Sequence, residues 1–462
     1  MNQARRHGTL SRILSDYGMA GVLLLLCIAL SVLTIAWQDP EGTSGGEQLA
    51  NLLLQRKPTG GRVLIAVGST TQDLAFAQSL ARRLVSGGFK IVAVVQGKPG
   101  DARDALERLV GIRGDPQRPL AKGEGLDAIA ATVETARWGV FEDLPREFPA
   151  LGDVPVVTAP QYRWPNFLKS SNLANICSQI AVIAILAVGM TLVIITGGID
   201  LSVGSLIALS AVTATWLIRE VAGAESASTG GVIASCLAAI ALCACVGLFS
   251  GSIVTLFRVP PFIVTLAIML MANGLAFIIA DGKPISQVPK GFIWLGGEAS
   301  LFGIPNSVVL MLLLYAIAHI VMTRMTLGRY IYAVGGNREA ARLSGVPVRR
   351  VLLFVYTLSG ALAGLGGVVM ASQLTSGSYT YGDKYELSVI AAVVIGGTSL
   401  SGGEGKVLGT LIGAFLIAVI GNGMNLVNMN SIKQRVVLGA VILGAAILDS
   451  IKKHGLPRRG ET

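Results

Sequence analysis

The stretch Leu186–Ser210, LAVGMTLVIITGGIDLSVGSLIALS, restricts this chain more than any other. It is long and apolar enough for a membrane helix, yet Gly197, Gly198, Asp200, Ser202, Gly204 and Ser205 interrupt its middle. A carboxylate at membrane depth is costly and normally faces protein or water. Irregular backbone survives there only where protein or an aqueous cavity satisfies its polar groups. The stretch reads in one of two ways. Either two helical segments meet at an intramembrane break, or a re-entrant or cytoplasmic turn joins two helices and Asp200 caps the second.

Composition places the rest of the chain in the same setting. Of 462 residues, 52% are hydrophobic and only 14% charged, which is too apolar for a soluble enzyme of this length, and the 57 glycines suit close helix–helix packing in lipid. The net charge of +10 resides in the termini and one central loop, with no basic surface interleaved with aromatics. Cytoplasmic loop charge explains it better than nucleic acid does. The five cysteines, Cys27, Cys177, Cys236, Cys243 and Cys245, lie in or beside apolar runs without metal-ligand spacing, so they read as small packing residues.

Residues 1–17 are polar and basic, and 18–37 form the first transmembrane helix. A signal peptide is disfavoured, because the run is long for one and no cleavage site follows. Residues 38–165 are different material, with balanced charge and clustered prolines. Gly42–Gly61 reads as a linker, and Arg62–Val67, Lys90–Val95 and Val154–Thr158 as strands. Gln72–Val85, Asp101–Val110 and Leu126–Ala136 carry helical patterns. Alternating strand and helix predicts a small α/β unit with a parallel sheet. Its first turn, Gly68-Ser69-Thr70, is neither a GxGxxG nor a Walker A motif, so no nucleotide site is assigned to it, and it reads as an ordinary βα turn in preference to an anion site at a helix start.

Residues 166–451 are dominated by apolar runs that, with the first helix, suggest about ten spans, of which Leu387–Ile395 is too short to cross unaided. Starting inside, ten spans place 38–165 outside, and leave the basic loop 324–350 and the tail 452–462 in the cytoplasm with the N-terminus. Under this topology the break at Gly197–Ser202 falls at the cytoplasmic end of its helices. That favours Asp200 as a cap for the next helix over a mid-membrane ligand. The segment Gly197–Gly204 is also echoed by Gly396–Gly403, with five of eight positions shared as GGxxLSxG. Paired repeats with broken helices at matching positions are a recurrent transporter design. The expected fold is thus an all-α polytopic membrane protein in two related halves, carrying an inserted extracytoplasmic α/β domain. Gly197, Gly198, Asp200, Ser202, Gly396 and Gly397 are expected to frame a hinge and inner gate.

In the basic loop, Asn337 is a good N-cap for a short helix over Arg338–Leu343, stopped by Gly345 and Pro347. The stretches GMTLVIITGGIDLSVGS (Gly189–Ser205), VPPFIVTLA (Val259–Ala267), DGKPI (Asp281–Ile285), GRYIYAVGGNREAARLSGV (Gly328–Val346) and YELSVIAAVVIGGTSLSGGEGKVLGTLIGA (Tyr385–Ala414) resemble the permease subunits of bacterial ABC importers. The resemblance is narrowest to the ribose, galactose and xylose type. It implies a non-enzymatic permease of the inner membrane, paired with a second permease subunit, either identical or related. It also implies an ATP-binding subunit on the cytoplasmic face, which uses ATP and magnesium, and an extracytoplasmic solute-binding protein that delivers the sugar. No cofactor, metal or nucleic acid is expected in this chain. Glu339, Ala340, Ala341 and Gly345 would form the element that couples to the ATPase, and Thr265 and Asn273 would lie along the substrate path. Two departures stand out: the inserted domain, and Asn273 where related permeases commonly carry arginine. A stand-alone secondary transporter or channel, or a sensor that binds ligand through its α/β domain, is the alternative. The first suffers from a shortage of paired intramembrane acids, and the second would not need ten helices.

Overall fold

The computed structural model describes residues 2–58, 60–110, 125–297, 300–301 and 304–454. Of the expected cytoplasmic tail 452–462, residues 455–462 therefore lie outside the described residues. The chain divides into two units, one of residues 1–34 and 166–462, the other of Ile35–Pro165.

Helix α1 (Asn2–Leu33) opens the chain. It ends earlier than its apolar run, because Ile35–Gln38 form strand β1 and the Thr34 hydroxyl donates back to Leu30 O. The second unit then continues through α2 (Gly42–Arg56), β2 (Arg62–Val67), α3 (Thr71–Ser86), β3 (Lys90–Gln96), α4 (Pro99–Val110) and β4 (Ala128–Ala131). Two single-turn helices, α5 (Gly139–Glu142) and α6 (Leu144–Glu147), precede β5 (Val156–Val157) and β6 (Tyr162–Pro165). Strands pair in the order β3-β2-β4-β5, all parallel, while β1 and β6 form a separate antiparallel pair.

Two segments of this unit differ from expectation. Gly42–Gly61 is largely helix α2, because its glycines serve packing: a Cβ on Gly46 would lie 2.3 Å from Phe76 O of α3. Leu126–Ala136 is not a helix but holds β4, one of the two inner strands, buried at all four positions. A strand covered on both faces loses its alternation, so periodicity cannot distinguish it from a helix. Helix α3 starts with a reciprocal capping box between Thr70 and Asp73. The Lys57 ammonium, 2.5 Å from Asp127, and the Arg62 amide hold the Asp127 carboxyl below the usual carboxylate range.

The first unit resumes with α7 (Ser170–Ile195), α8 (Val203–Glu220), α9 (Thr229–Leu256), α10 (Pro261–Ala280), the small β7 (Ser300–Leu301) and β8 (Ile304–Pro305) pair, and α11 (Asn306–Arg324). Then come α12 (Thr326–Gly336), α13 (Arg338–Leu343), α14 (Val348–Leu374), α15 (Tyr385–Ile395), α16 (Val407–Leu426) and α17 (Ser431–His454). Among the described residues, seven helices are long and apolar enough to cross a membrane: α7 to α11, α14 and α16. Gly18–Leu33 and α15 are shorter apolar helices.

Helix α7 is the core. From Ile180 to Ile195 every residue but Ile183 is buried, as expected of a helix apolar on all sides. Hydrogen bonds tie it to its neighbours. Thr191 and Thr410 hydroxyls lie 2.8 Å apart, Tyr315 OH donates to Ala184 O, and Asn172 and Asn422 exchange amide hydrogen bonds of 3.1 and 2.8 Å. By contrast α9, α10 and α11 expose Leu237, Phe249, Leu270, Phe277 and Leu313, apolar surface suited to lipid or a further chain.

Helices α9 and α14 cross at backbone distance through glycines, the mode of packing that lipid favours. A Cβ on Gly360 would stand 2.3 Å from Cys243 O, and one on Gly247 2.3 Å from Tyr356 O. Gly360→Val should therefore force the pair apart at a cost of about 1–3 kcal/mol. Thermal unfolding in detergent micelles is expected to show a midpoint several degrees below that of the unsubstituted protein. An unchanged midpoint would contradict the close crossing.

Candidate functional site

The break after α7 is built first from glycine. Gly197 takes φ +74°, a left-handed conformation that an L side chain resists. Its amide donates to Ile194 O at 2.9 Å and that of Gly198 to Val193 O at 3.0 Å, the pattern of a Schellman helix end. The second break repeats it one residue later than the sequence echo suggests. There Gly397, with φ +89°, is the left-handed residue, and the Gly397 and Thr398 amides donate to Val394 O and Val393 O. Gly396 is instead the last helical-region residue of α15, with φ −65°. It packs on α16, where its Cβ would meet Gly409 at 2.6 Å.

Beyond each helix end stands a matching side-chain turn. Asp200 Oδ1 accepts from the Ser202 amide at 3.0 Å and the Ser202 hydroxyl at 2.6 Å. Ser399 Oγ accepts from the Ser401 amide at 3.1 Å. The two copies thus share a Schellman end and a two-residue turn, with one residue more between them in the first copy.

Asp200 does not cap α8, as the sequence suggested; Ser202 occupies that N-cap, without a side-chain capping bond. Instead the second oxygen of Asp200 accepts from the Ser359 hydroxyl of α14 at 2.8 Å. The carboxylate is 2% exposed and lies between three donors. One polar group thereby joins the break to a helix 159 residues away in sequence. Tyr356, one turn before Ser359, is fully buried with its hydroxyl against Gly198, where a Cβ would come within 2.4 Å.

The basic loop folds onto both breaks. Gly403 N donates to Ile195 O at 2.8 Å, Tyr332 OH of α12 to Gly405 O at 2.7 Å, and Arg338 Nη2 of α13 to Thr196 O at 3.2 Å. Gly335 leaves no room for a side chain: its Cβ would lie 1.7 Å from Ile195 O. Helix α13 has the expected bounds, with the Asn337 side chain accepting from the Ala340 amide at 3.0 Å. Gly345, at φ +83°, ends it as a third Schellman turn, its amide donating to Arg342 O and that of Val346 to Ala341 O. Ala341 is buried, whereas Glu339, Ala340, Arg342 and Leu343 face outward, Leu343 being 81% exposed. Glu339 and Arg342 pair along the helix at 2.9 Å.

The two residues expected along a path through α10 are not brought together. Thr265 is buried and donates to Ile199 O at 3.2 Å and Pro261 O at 3.0 Å, so it braces the first break. Asn273 lies on the exposed face of α10 with Leu266, Leu270 and Phe277. The sequence assigns no role to Ser359 or Tyr356, which stand in no motif, nor to the side chains of Tyr332 and Arg338, although both lie within Gly328–Val346.

A family model described as "Branched-chain amino acid transport system / permease component" matches residues 172–446. The ribose import permease protein RbsC of Escherichia coli (strain K12) is 43% identical over 297 residues, covering 63% of this chain and 88% of that protein. RbsC of Bacillus subtilis (strain 168) is 41% identical over 289 residues, 62% and 87% of the two chains. The D-allose transport system permease protein AlsC of Escherichia coli (strain K12) is 35% identical over 294 residues, 63% and 86%. No solved structure matches. The unit Ile35–Pro165 lies before the residues that the family model matches.

Replacing Asp200 tests the knot at the break. Asp200→Ala strips three donors of their acceptor, each costing about 1–3 kcal/mol if left buried and unpaired, whereas Asp200→Asn keeps an oxygen acceptor. Thermal stability in detergent is expected to fall in the order unsubstituted, Asn, Ala. Equal stability of the three would remove the carboxylate from its structural role.

Proposed function

The chain belongs to the branched-chain amino acid transport system / permease component family, and we propose that it is the membrane-spanning subunit of an ATP-driven importer of a sugar or sugar-like molecule. It is a multi-pass inner-membrane protein. The similarity to ribose and allose permeases, extending over most of their length, carries the sugar reading against the family's amino-acid title. Two permease chains, identical or related, would flank the translocation path. The exposed apolar faces of α9 to α11 offer surface for lipid and for that second chain.

The energy source lies in a partner. This chain has no phosphate-binding loop, and ATP with magnesium would be used by an ATP-binding subunit seated against α13. The exposed face of that helix, Glu339, Ala340, Arg342 and Leu343, supports the assignment. Buried Ala341 and the Gly345 turn would hold it rigid on the breaks at Gly197–Ser202 and Gly396–Gly397. Packed elements of this kind switch between discrete arrangements, which suits alternating access. A solute-binding protein would present the sugar at the opposite face. Asn273 is the candidate polar contact on α10, since an amide directed to lipid would be poorly satisfied.

Reading Gly18–Leu33, α15 and α17 as spans beside the seven longer helices would make ten, an even number that, with the basic loop 324–350, supports a cytoplasmic location for both termini. The unit Ile35–Pro165 is then extracytoplasmic, on the side from which sugar arrives.

Two measurements test this. Glu339→Arg, or Ala341→Asp, is expected to abolish ATP-driven sugar uptake while the chain still inserts in the membrane. Unchanged uptake at normal expression would contradict the docking role of α13. Protease added to right-side-out vesicles or spheroplasts is expected to cleave within residues 35–165. Cleavage there only from the cytoplasmic side would reverse the topology.

A further inference from the structure

Helix α7 ends in four carbonyls that no further turn of helix can satisfy, and each has a partner. Val193 O and Ile194 O take the amides of Gly198 and Gly197, and Ile195 O takes the amide of Gly403. The last, Thr196 O, takes Arg338 Nη2 at 3.2 Å. A guanidinium at a helix C-terminus also meets the negative end of the helix dipole. Arg338 is the first residue of α13.

That single bond closes a ring. From Thr196 the chain passes through the break to Asp200, whose carboxylate is held by Ser359 of α14. Helix α14 begins at Val348, a few residues after α13 ends at Leu343. A displaced α13 therefore pulls on α14 through the backbone and on α7 through Arg338, and both paths meet at Asp200. Without Arg338, itself an exposed residue whose guanidinium reaches Thr196 O, that hydrogen bond is gone, while Glu339, Ala340, Arg342 and Leu343 are untouched.

We propose that Arg338 is a positioning residue which transmits movement of α13 to the break after α7, so that partner motion opens the inner end of the path. This rests on α13 being the docking helix. It separates two jobs within that helix: Glu339, Ala340, Arg342 and Leu343 receive the partner, and Arg338 passes the movement inward.

The test uses the complete importer, with this chain, its ATP-binding subunit and its binding protein in proteoliposomes and radiolabelled D-ribose as the probe. The readout is ribose taken up per ATP hydrolysed, which a purely structural or docking role would not change. With Arg338→Gln the complex is expected to assemble and to hydrolyse ATP within about twofold of the unsubstituted importer. The ratio is expected to fall by about tenfold, within the usual range of coupling between sites, and Arg338→Lys, which keeps a charged donor, should recover part of it. Ser359→Ala opens the same ring from the α14 side and should lower the ratio likewise. An unchanged ratio in either variant would overturn the proposal. So would a parallel loss of uptake and hydrolysis, or loss of the ATP-binding subunit from the Arg338→Gln complex, since these mark a docking contact. Absence of ATP-driven uptake of every sugar in a panel that includes D-ribose and D-allose by the unsubstituted complex would instead remove the importer assignment, and this role with it.

Discussion

A helix that stops where water is scarce must find partners for its terminal carbonyls, and α7 stops among other helices. Its own glycine turn satisfies two of them, the second break a third, and the loop arginine the fourth. Much of the architecture around the breaks follows from that requirement. The left-handed turn needs Gly197. The approach of Gly403 needs Gly335, because a side chain at Gly335 would overlap Ile195 O. The chain leaving the turn carries Asp200 into a buried position, where it is stable only because Ser202 and Ser359 donate to it. The breaks, α13 and α14 thus form one connected polar knot within an otherwise apolar bundle.

The knot also explains how a repeated motif can serve two ends. Both copies keep the Schellman turn and the short side-chain turn, but they differ in charge and in spacing. The first has a carboxylate that reaches α14; the second has Ser399, whose hydroxyl serves its own turn. The extra residue between helix end and turn in the first copy is what displaces Asp200 relative to its counterpart. Equivalent backbone ends with unequal side chains allow one break to act as an anchor for the other.

Much of this was legible in the sequence where local rules apply. The helix ends at Gly197 and Gly345, the N-cap at Asn337 and most of the apolar helices follow from residue type and spacing. Features that depend on distant partners were not legible. Nothing near Asp200 announces Ser359, so a carboxylate before a helix was read as its cap. A pairwise alignment of GGxxLSxG set Gly197 against Gly396, whereas left-handed geometry falls on Gly397. In the α/β unit, burial on both faces removed the alternation that would have marked Ala128–Ala131 as a strand, and Gly45 and Gly46 resembled a linker because their purpose is contact with α3. The contact of the Thr265 hydroxyl with Ile199 O, 66 residues away, likewise has no local signal.

On the proposed reading, in which α13 receives force from a partner, the chain should do nothing useful without one. The most direct measurement is accumulation of labelled sugar, from a panel that includes D-ribose and D-allose, in proteoliposomes containing this chain, with its ATP-binding subunit and solute-binding protein each present or omitted. Accumulation is predicted only when both partners and ATP are present. Equilibration of such a sugar by the chain alone, without the ATP-binding subunit, would show that it works as a carrier or channel and contradict the account.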